Sequence, residues 1–555
     1  MENKDISSLF KFAAKLNELH DENPFKIRSY QNAAYQIERL EKQLAEMDIE
    51  QLQTINGIGK NIAAKIVDLN TKGTFNELER LLDDTPKSII EMMNVKGFGP
   101  KKIRVVWKEL GIEDLDELIK ACEKGALAEV KGFGKKTEAS IKDSAEYYLE
   151  NKNQYLYAEL EDAALMILER LQNLDIVQNA SLTGEIRRKC EVLNSIEILV
   201  QSADEMKLIQ RLKGLEIFDS IEIKGNQIYA TLHNRVNVVI TISKQNFYND
   251  LFISTGSEVH VSNFGKTSID PKSEQEIYES NGFDFVEPEL REGMKELEYA
   301  KQKNLPKLID KEEIKGILHA HSTYSDGRQS LEKMALACKE LGYEYLGITD
   351  HSQTAVYANG LKSERVFQQH EEIASLNKEL TPFKIFKGIE SDILNDGSLD
   401  YEEDVLKSFD FIIASVHSNL KMDEQKATDR ILKAIRNPYT TILGHLTSRL
   451  LLQRKGYPVD HKKVIDECAE YQVIIEMNAN PRRLDMDWRW IGYAIEKGVK
   501  ISINPDAHNV EGLNHVKLGI NAARKGGLTK EMTLNTLSLK EIEKYFEERK
   551  PQIVG

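Results

Sequence analysis

Six histidines and three carboxylates in the C-terminal part of the chain fall in short, similar settings. They are Leu318-His319-Ala320-His321 with Asp326-Gly327, Thr349-Asp350-His351, Gly388-Ile389-Glu390, Val416-His417, Gly444-His445 and Asp506-Ala507-His508. Nine of the twelve histidines lie between His319 and His515. His-x-His on an extended segment points both imidazoles to one side. A glutamate has two oxygens to share, so Glu390 can bridge two cations. Mixed nitrogen and oxygen donors suit Zn²⁺, Mn²⁺ or Fe²⁺, and the chemistry such a set implies is hydrolysis by metal-activated water. A lone histidine is more often a packed core or surface residue; nine donors repeated at equivalent places are poorly explained that way.

The elements around these donors say how they could meet. Short apolar runs alternate with helical stretches at Tyr345–Ile348, Lys384–Gly388, Phe411–Ser415, Thr441–Gly444, Val473–Met477 and Lys500–Ile503. That rhythm predicts a distorted parallel α/β barrel over residues 315–555, with the donors at the C-terminal ends of its strands, where the active sites of such barrels lie. A lysine- and proline-containing segment, residues 301–314, is expected to be a linker. Before it, residues 151–300 carry short β-rich runs (Ile196–Val200, Ile221–Ile223, Ile228–Leu232, Val236–Ile242) between helical stretches, an α+β pattern. Residues 1–150 read as helical, with apolar residues at helical spacing in Ile6-Leu9-Phe10-Ala13 and Ile62-Ala63-Ile66-Val67.

This helical region contains a near-repeat. Gly57-Ile58-Gly59-Lys60 recurs as Gly97-Phe98-Gly99-Pro100-Lys101 and as Gly132-Phe133-Gly134-Lys135. Two glycines around an apolar residue allow a tight turn with free amides, and the following helix N-terminus and lysine add positive potential. Three such phosphate cradles predict sequence-independent contact with a nucleic-acid backbone. The net charge of −15 works against a nucleic-acid binder, so binding is expected to rest on these local clusters and to be salt-sensitive. Four scattered cysteines without a CxxC pair exclude a disulfide scaffold and point to the cytosol. No apolar run approaches the roughly 20 residues of a membrane span, and the N-terminus lacks the order of a secretory signal. The chain is therefore expected to be cytoplasmic, near the nucleoid, and monomeric.

The donor order HxH…D…DH…E…H…H…DxH resembles that of the polymerase and histidinol phosphatase (PHP) metal-dependent phosphoesterases. The resemblance implies three divalent metals. His319, His321, Glu390 and Asp506 would hold one, Glu390, His417 and His445 a second, and Asp326, His351 and His508 a third, with Glu390, Asp326 and His351 as catalytic residues. The glycine repeats resemble DNA-binding helix-hairpin-helix motifs. The whole chain resembles bacterial family X DNA polymerases, which join an N-terminal lyase-like domain, a polymerase core and a C-terminal PHP domain. Asn23-Pro24-Phe25-Lys26-Ile27-Arg28-Ser29-Tyr30, Glu287-Pro288-Glu289-Leu290-Arg291-Glu292-Gly293, Arg449-Leu450-Leu451 and Glu476-Met477-Asn478-Ala479-Asn480-Pro481-Arg482-Arg483-Leu484-Asp485 carry that likeness.

The core departs from the family pattern at its metal site. Nucleotidyl transfer needs three carboxylates, two of them in Asp-x-Asp. Here those positions are Ser195 and Glu197, and the third is Asn237. Glu185 replaces a serine expected at the triphosphate, and Ile253-Ser254 replaces a Tyr-Phe pair. Arg187 and Arg188 are read as structural remnants, and Glu191 as a nearby carboxylate able to substitute. By likeness to polymerase beta, Lys65 falls at the lyase nucleophile, with Lys60 and Lys72 as flanking cations; a surface lysine is the plainer reading. The expectation is a metal-dependent 3′→5′ exonuclease of DNA repair acting on gapped, nicked or 3′-ended DNA, with 3′-end processing or abasic-site cleavage as related activities. A family X polymerase with exonuclease, a DNA-binding scaffold and a small-molecule phosphatase are the alternatives.

Overall fold

The computed structural model describes residues 1–40, 42–244, 246–267 and 270–549. The chain divides into two compact units, Met1–Lys152 and Asn153–Gly555. The first is all-helical. Its three glycine repeats each lead into a helix: α1 (Lys60–Lys72), α2 (Pro100–Leu110) and α3 (Lys135–Glu150). The first glycine of each pair has positive φ, +84° at Gly57, +79° at Gly97 and +93° at Gly132, which only glycine adopts without strain. The apolar residue between the glycines, Ile58, Phe98 or Phe133, is buried in the helical core.

The second unit begins with a five-stranded sheet of β1 (Val177–Leu182), β2 (Ile196–Ser202), β3 (Phe218–Lys224), β4 (Gln227–Leu232) and β5 (Asn237–Ile242), in the order β1-β2-β5-β4-β3. β2 and β5 are parallel and the other pairs antiparallel. β1 carries no apolar run, because Gln178, Asn179 and Ser181 interrupt its apolar residues, and none of its residues is fully buried. The segment expected to be a linker is pinned: Leu308 pairs with Thr529, and Ile309 is fully buried and donates its N–H to Leu528 at 2.9 Å.

Seven parallel strands follow: β6 (Gly316–Ile317), β7 (Tyr345–Ile348), β8 (Lys384–Asp392), β9 (Phe411–Ser415), β10 (Ile442–Leu443), β11 (Ile474–Asn478) and β12 (Ile501–Asn504), in sequence order across the sheet. The bridge between Ala320 and Ala507 brings the two edges together, so the barrel is nearly closed. Alternate strand residues part into two sets. Leu346, Ile385, Ile412, Leu443 and Ile475 pack in the large shared core. Tyr345, Phe386, Phe411, Ile413, Ile442 and Ile474 cluster with Ile542 and Phe546 of the C-terminal helix α4 (Leu539–Arg549). Followed along the chain, this second set turns polar: Phe386, Gly388, Glu390 on β8 and Ile474, Glu476, Asn478 on β11. Its apolar end is filled by Phe411, which stacks on Phe546 at 5.0 Å. A Cβ on Gly347 or Gly388 would come within 2.5 or 2.6 Å of the Phe411 ring. Replacing that ring opens a cavity, so Phe411→Ala is expected to cost about 3–5 kcal/mol of barrel stability. Thermal unfolding should show a melting temperature several degrees lower, while Met206→Ala, at a site 76% exposed, leaves it unchanged.

Candidate metal centre

Each donor stands at the C-terminal end of a barrel strand. His319 and His321 follow β6, His351 follows β7, His417 follows β9, His445 follows β10, and Asp506 and His508 follow β12. Glu390 lies inside β8, because that strand runs past Gly388 to Asp392. Apart from Asp326 and His508, each 36% exposed at the side chain, the donors are buried or nearly so.

Glu390 is the hub. Its Oε1 is 2.9 Å from His445 Nε2 and 3.1 Å from His417 Nε2. Its Oε2 is 3.0 Å from His351 Nδ1, 3.6 Å from His319 Nε2 and 3.7 Å from His321 Nε2. Asp506 Oδ1 lies 3.2 Å from His321 Nε2 and 3.6 Å from His319 Nε2. Asp326 Oδ1 lies 3.4 Å from His508 Nε2, 3.6 Å from His351 Nε2 and 4.0 Å from His321 Nδ1. Two donors bound about 2.0–2.1 Å from one tetrahedral ion stand roughly 3.4 Å apart, so most of these separations are those of co-ligands. Among the described residues, the three groups able to hold a metal are all here: His321, Asp326, His351 and His508; His319, His321 and Asp506; His351, Glu390 and His417. His319 Nε2, His321 Nδ1, His351 Nδ1 and Glu390 Oε2 are buried without a hydrogen-bond partner. Buried polar atoms of a native protein are otherwise satisfied, so orphaned donors converging on one point fit metal ligation.

The structure draws His321 and His351 further into the cluster than the sequence-based sets assumed: His321 reaches toward Asp326 through its second nitrogen, and His351 reaches toward Glu390. It also adds a supporting ring of carboxylates that the motifs alone did not separate from packing. Glu476 accepts from His319 Nδ1 at 2.7 Å and from the His445 amide at 2.9 Å. Asp392 holds His417 Nδ1 at 2.5 Å. Asp350 takes the amides of Ser322 at 2.8 Å and Ser325 at 3.1 Å, and so shapes the turn that carries Asp326. Such partners fix imidazole tautomer and orientation; the one signal in the sequence was an acidic residue in or just after a strand. Arg483 reaches Asp506 Oδ2 at 3.4 Å through Nε and keeps Nη1 buried without a partner.

Burial opposes charge on every group here, but for Glu390, Asp506, His417 and His508 the neighbours of opposite charge outweigh it. Glu390 and Asp506 are held well below the usual carboxylate range by the histidines around them. His417 is buried, yet Glu390 and Asp392 push it up to about 10, and Asp326 and Asp506 push His508 up to about 9. His321, lowered to about 3 by burial and by its neighbours His508 and His351, stays neutral.

The other singled-out residues lie elsewhere. Gly59, Gly99 and Gly134 are the N-caps of α1, α2 and α3, no side chain caps these helices, and Lys60, Lys101 and Lys135 are exposed beside them. Lys65, for which a surface position is the plainer reading, is half-buried: its ammonium is 2.8 Å from Glu77 and bonds Tyr30, Lys26 pairs with the same Glu77, and Lys72 pairs with Asp68 at 2.9 Å. Ser195, just before β2, and Asn237, at the start of β5, line a cavity of about 370 Å³ with Glu222 of β3. Glu197 packs under Gly184, where a Cβ would lie 2.2 Å from its Oε2, and burial with the nearby Glu185 raises it to about 7. Glu191 faces Arg489 at 3.7 Å and Arg449 at 3.8 Å on the barrel side. Arg187 and Arg188 are paired with Glu274 and with Glu292, the latter at 3.0 Å.

A helical unit with glycine hairpins, an α/β middle and a strand-end donor cluster in a seven-stranded barrel define a PHP protein joined to helix-hairpin-helix elements. A PHP domain is matched over residues 318–480, a helix-hairpin-helix domain over 1–75 and a SAM-like helix-hairpin-helix tandem over 89–146. The DNA polymerase/3′-5′ exonuclease PolX of Bacillus subtilis (strain 168) is 33% identical over 577 residues, 98% of this chain and 99% of its own length. The chain belongs to this bacterial PolX family. A probable phosphatase of Thermoanaerobacter sp. (strain X514) is 28% identical over 247 residues, 43% of this chain and 93% of that protein. Among the described residues no helix is long and apolar enough to cross a membrane.

Ligation requires neutral imidazole, so a metal must displace the protons that the carboxylates hold on His417 and His508. In the metal-free chain the surrounding carboxylates favour the doubly protonated, cationic form of both at neutral pH. Metal uptake at pH 7 should therefore release protons, and apparent affinity should strengthen as pH rises from about 6 to 9. Titration of Mn²⁺ in buffers of different ionisation enthalpy measures both; pH-independent affinity without proton release would contradict the assignment.

Proposed function

We propose that this protein is a metal-dependent DNA phosphodiesterase that removes nucleotides 3′→5′, and that its family X core does not extend primers. The convergence of five histidines on Glu390, with Asp506, Asp326 and His508 joined to the same cluster and orphaned nitrogen and oxygen atoms at its centre, carries the first part. His319, His321, Glu390 and Asp506 would hold one divalent metal, Glu390, His417 and His445 a second, and Asp326, His351 and His508 a third; Zn²⁺, Mn²⁺ and Fe²⁺ all suit these donors. Bound there, the metals would supply Lewis acidity, lowering the pKa of water and neutralising charge on phosphate oxygens. The protein does the rest. Glu390 fixes the spacing of the two inner sets through its two oxygens. Asp326 and His508 line the side where the cluster is least buried, so water and substrate would enter past them. The guanidinium of Arg483, next to Asp506, is placed to hold a phosphate oxygen. The hairpin amides and lysines of the helical unit would hold the DNA backbone without reading bases.

The name of the Bacillus subtilis relative includes 3′-5′ exonuclease, which supports this reading. The probable phosphatases resemble only the barrel half, and the hairpin domains favour DNA over a small phosphomonoester. Removing the shared carboxylate disturbs two metal sets at once. Glu390→Ala is expected to lower Mn²⁺-dependent degradation of a labelled 3′-ended strand at least 100-fold while leaving salt-dependent DNA binding intact. Wild-type degradation by that variant would remove the barrel from the chemistry.

The same relative's name includes DNA polymerase, and identity over nearly the whole chain supports polymerisation as a second reading. The residue types argue against it. Ser195 and Asn237 lack the formal charge that makes Mg²⁺ binding favourable, and Glu197 is turned under Gly184. Glu191, the substitute that the sequence offered, faces two barrel arginines. A primer-template assay with His319→Ala, in which degradation cannot hide synthesis, should show no dNTP-dependent extension with Mg²⁺ or Mn²⁺. Template-dependent extension by that variant, abolished by Glu197→Ala, would establish the second reading.

A further inference from the structure

The rim of the metal centre carries two apolar side chains that packing does not explain. Val356 is 81% exposed and Tyr357 71% exposed, side by side in a short turn of 3₁₀ helix, Val356–Ala358. Scattered exposed hydrophobics are ordinary, but this pair sits on a loop fixed at every other point. Ser352 and Leu361 bridge its base, and Leu361 donates its N–H to His351 at 2.8 Å. The Thr354 amide donates to Asp400 Oδ2 at 2.7 Å, and the Asn359 amide side chain to the Tyr324 carbonyl at 3.1 Å. A Cβ on Gly360 would lie 1.9 Å from the Ser352 carbonyl oxygen, so the loop folds tightly on itself. Thr354 Oγ1 also bonds Asp392 Oδ2 at 3.0 Å, while Asp392 Oδ1 holds His417; one carboxylate therefore ties the loop to a ligand of the cluster. The Tyr357 ring stands 6.1 Å from the His351 ring, tilted by 57°.

From this placement we infer that Tyr357 is the stacking platform for the unpaired base of the DNA terminus whose phosphodiester lies on the metal centre. The inference rests on the nuclease reading above and adds to it the residue that receives the terminal base. A phosphate held beside His351 and Asp326 leaves its base one sugar away, the distance at which an exposed aromatic face on a pinned loop can receive it. Base–aromatic stacking is sequence-tolerant because every base has a π face, which matches an enzyme that must take each base in turn. The ring must approach a free base face, so a terminal base still paired in a duplex is excluded until it frays.

The test uses the full-length protein loaded with Mn²⁺, Tyr357→Ala and Tyr357→Phe, and a strand ending in 2-aminopurine with a phosphorothioate at the last linkage to slow cleavage. Wild type and Tyr357→Phe should quench the 2-aminopurine on binding, and Tyr357→Ala should not. On ordinary unpaired ends Tyr357→Ala should raise KM about tenfold, the order expected for one lost stack, with little change in kcat. On an end whose last nucleotide is abasic, all three proteins should act alike. Equal KM and equal quenching for Tyr357→Ala and wild type would overturn the platform and leave the nuclease reading standing. Quenching that depends on Tyr357, with no hydrolysis of any DNA end by wild type, would overturn the nuclease reading and leave the platform.

Discussion

The metal centre depends on the closure of the barrel between Ala320 and Ala507. The His321 amide donates to the Ala507 carbonyl at 2.8 Å, and the Ala507 amide points to the His319 carbonyl at 3.4 Å. These are backbone groups of the ligand segments themselves. An open seven-stranded sheet would hold His319 and His321 at one edge and Asp506 and His508 at the other, some six strand spacings of about 4.8 Å apart. Closure turns that span into contacts under 4 Å. Interior glycines and the Phe411–Phe546 stack complete it from the apolar end.

Closure also creates the electrostatic problem that cations solve. Glu390 and Asp506 are buried among imidazoles, and a buried charge is costly unless it is paired and hydrogen-bonded. Two of the imidazoles are steadied in turn by a carboxylate outside the cluster: Glu476 behind His319, Asp392 behind His417. Asp350 does the same for the turn bearing Asp326. The arrangement is rigid at the donors because the second ring of carboxylates is itself bonded to strand and loop backbone. Rigidity at the rim follows from the same groups, since Asp392 anchors both a histidine and the loop that carries Tyr357.

The α/β middle and the barrel form one compact unit, and charged groups near the inherited nucleotidyl-transfer site are engaged in holding it together. Lys525, with no exposed side-chain surface, pairs with Glu292 and donates to the Arg188 carbonyl at 3.0 Å. Arg524 reaches Glu289 at 3.2 Å, and Lys517 reaches Glu161 at 2.6 Å. Arg187 and Arg291 share Glu274. Arg187, Arg188 and Arg291 are thus tied to carboxylates of the same unit.

By itself the sequence determined the local facts: which residues could be donors, that they fall near the ends of strands of a βα series, that three glycine pairs open helices, and that uncharged Ser195 and Asn237 stand where the family resemblance expects carboxylates. These follow from residue type and short-range period, which the chain carries within a few residues of each site. It did not determine which donors meet, because contacts such as His319 with Asp506 join residues far apart in sequence and exist only after closure. For the same reason the roles of Glu476 and Asp392, the sharing of Glu77 by Lys65 and Lys26, and the turning of Glu191 toward Arg449 and Arg489 were decided by tertiary packing. The exposed ring of Tyr357 reads in the sequence as one tyrosine in a loop. Only the fold, by pinning that loop beside His351, gives its surface a use.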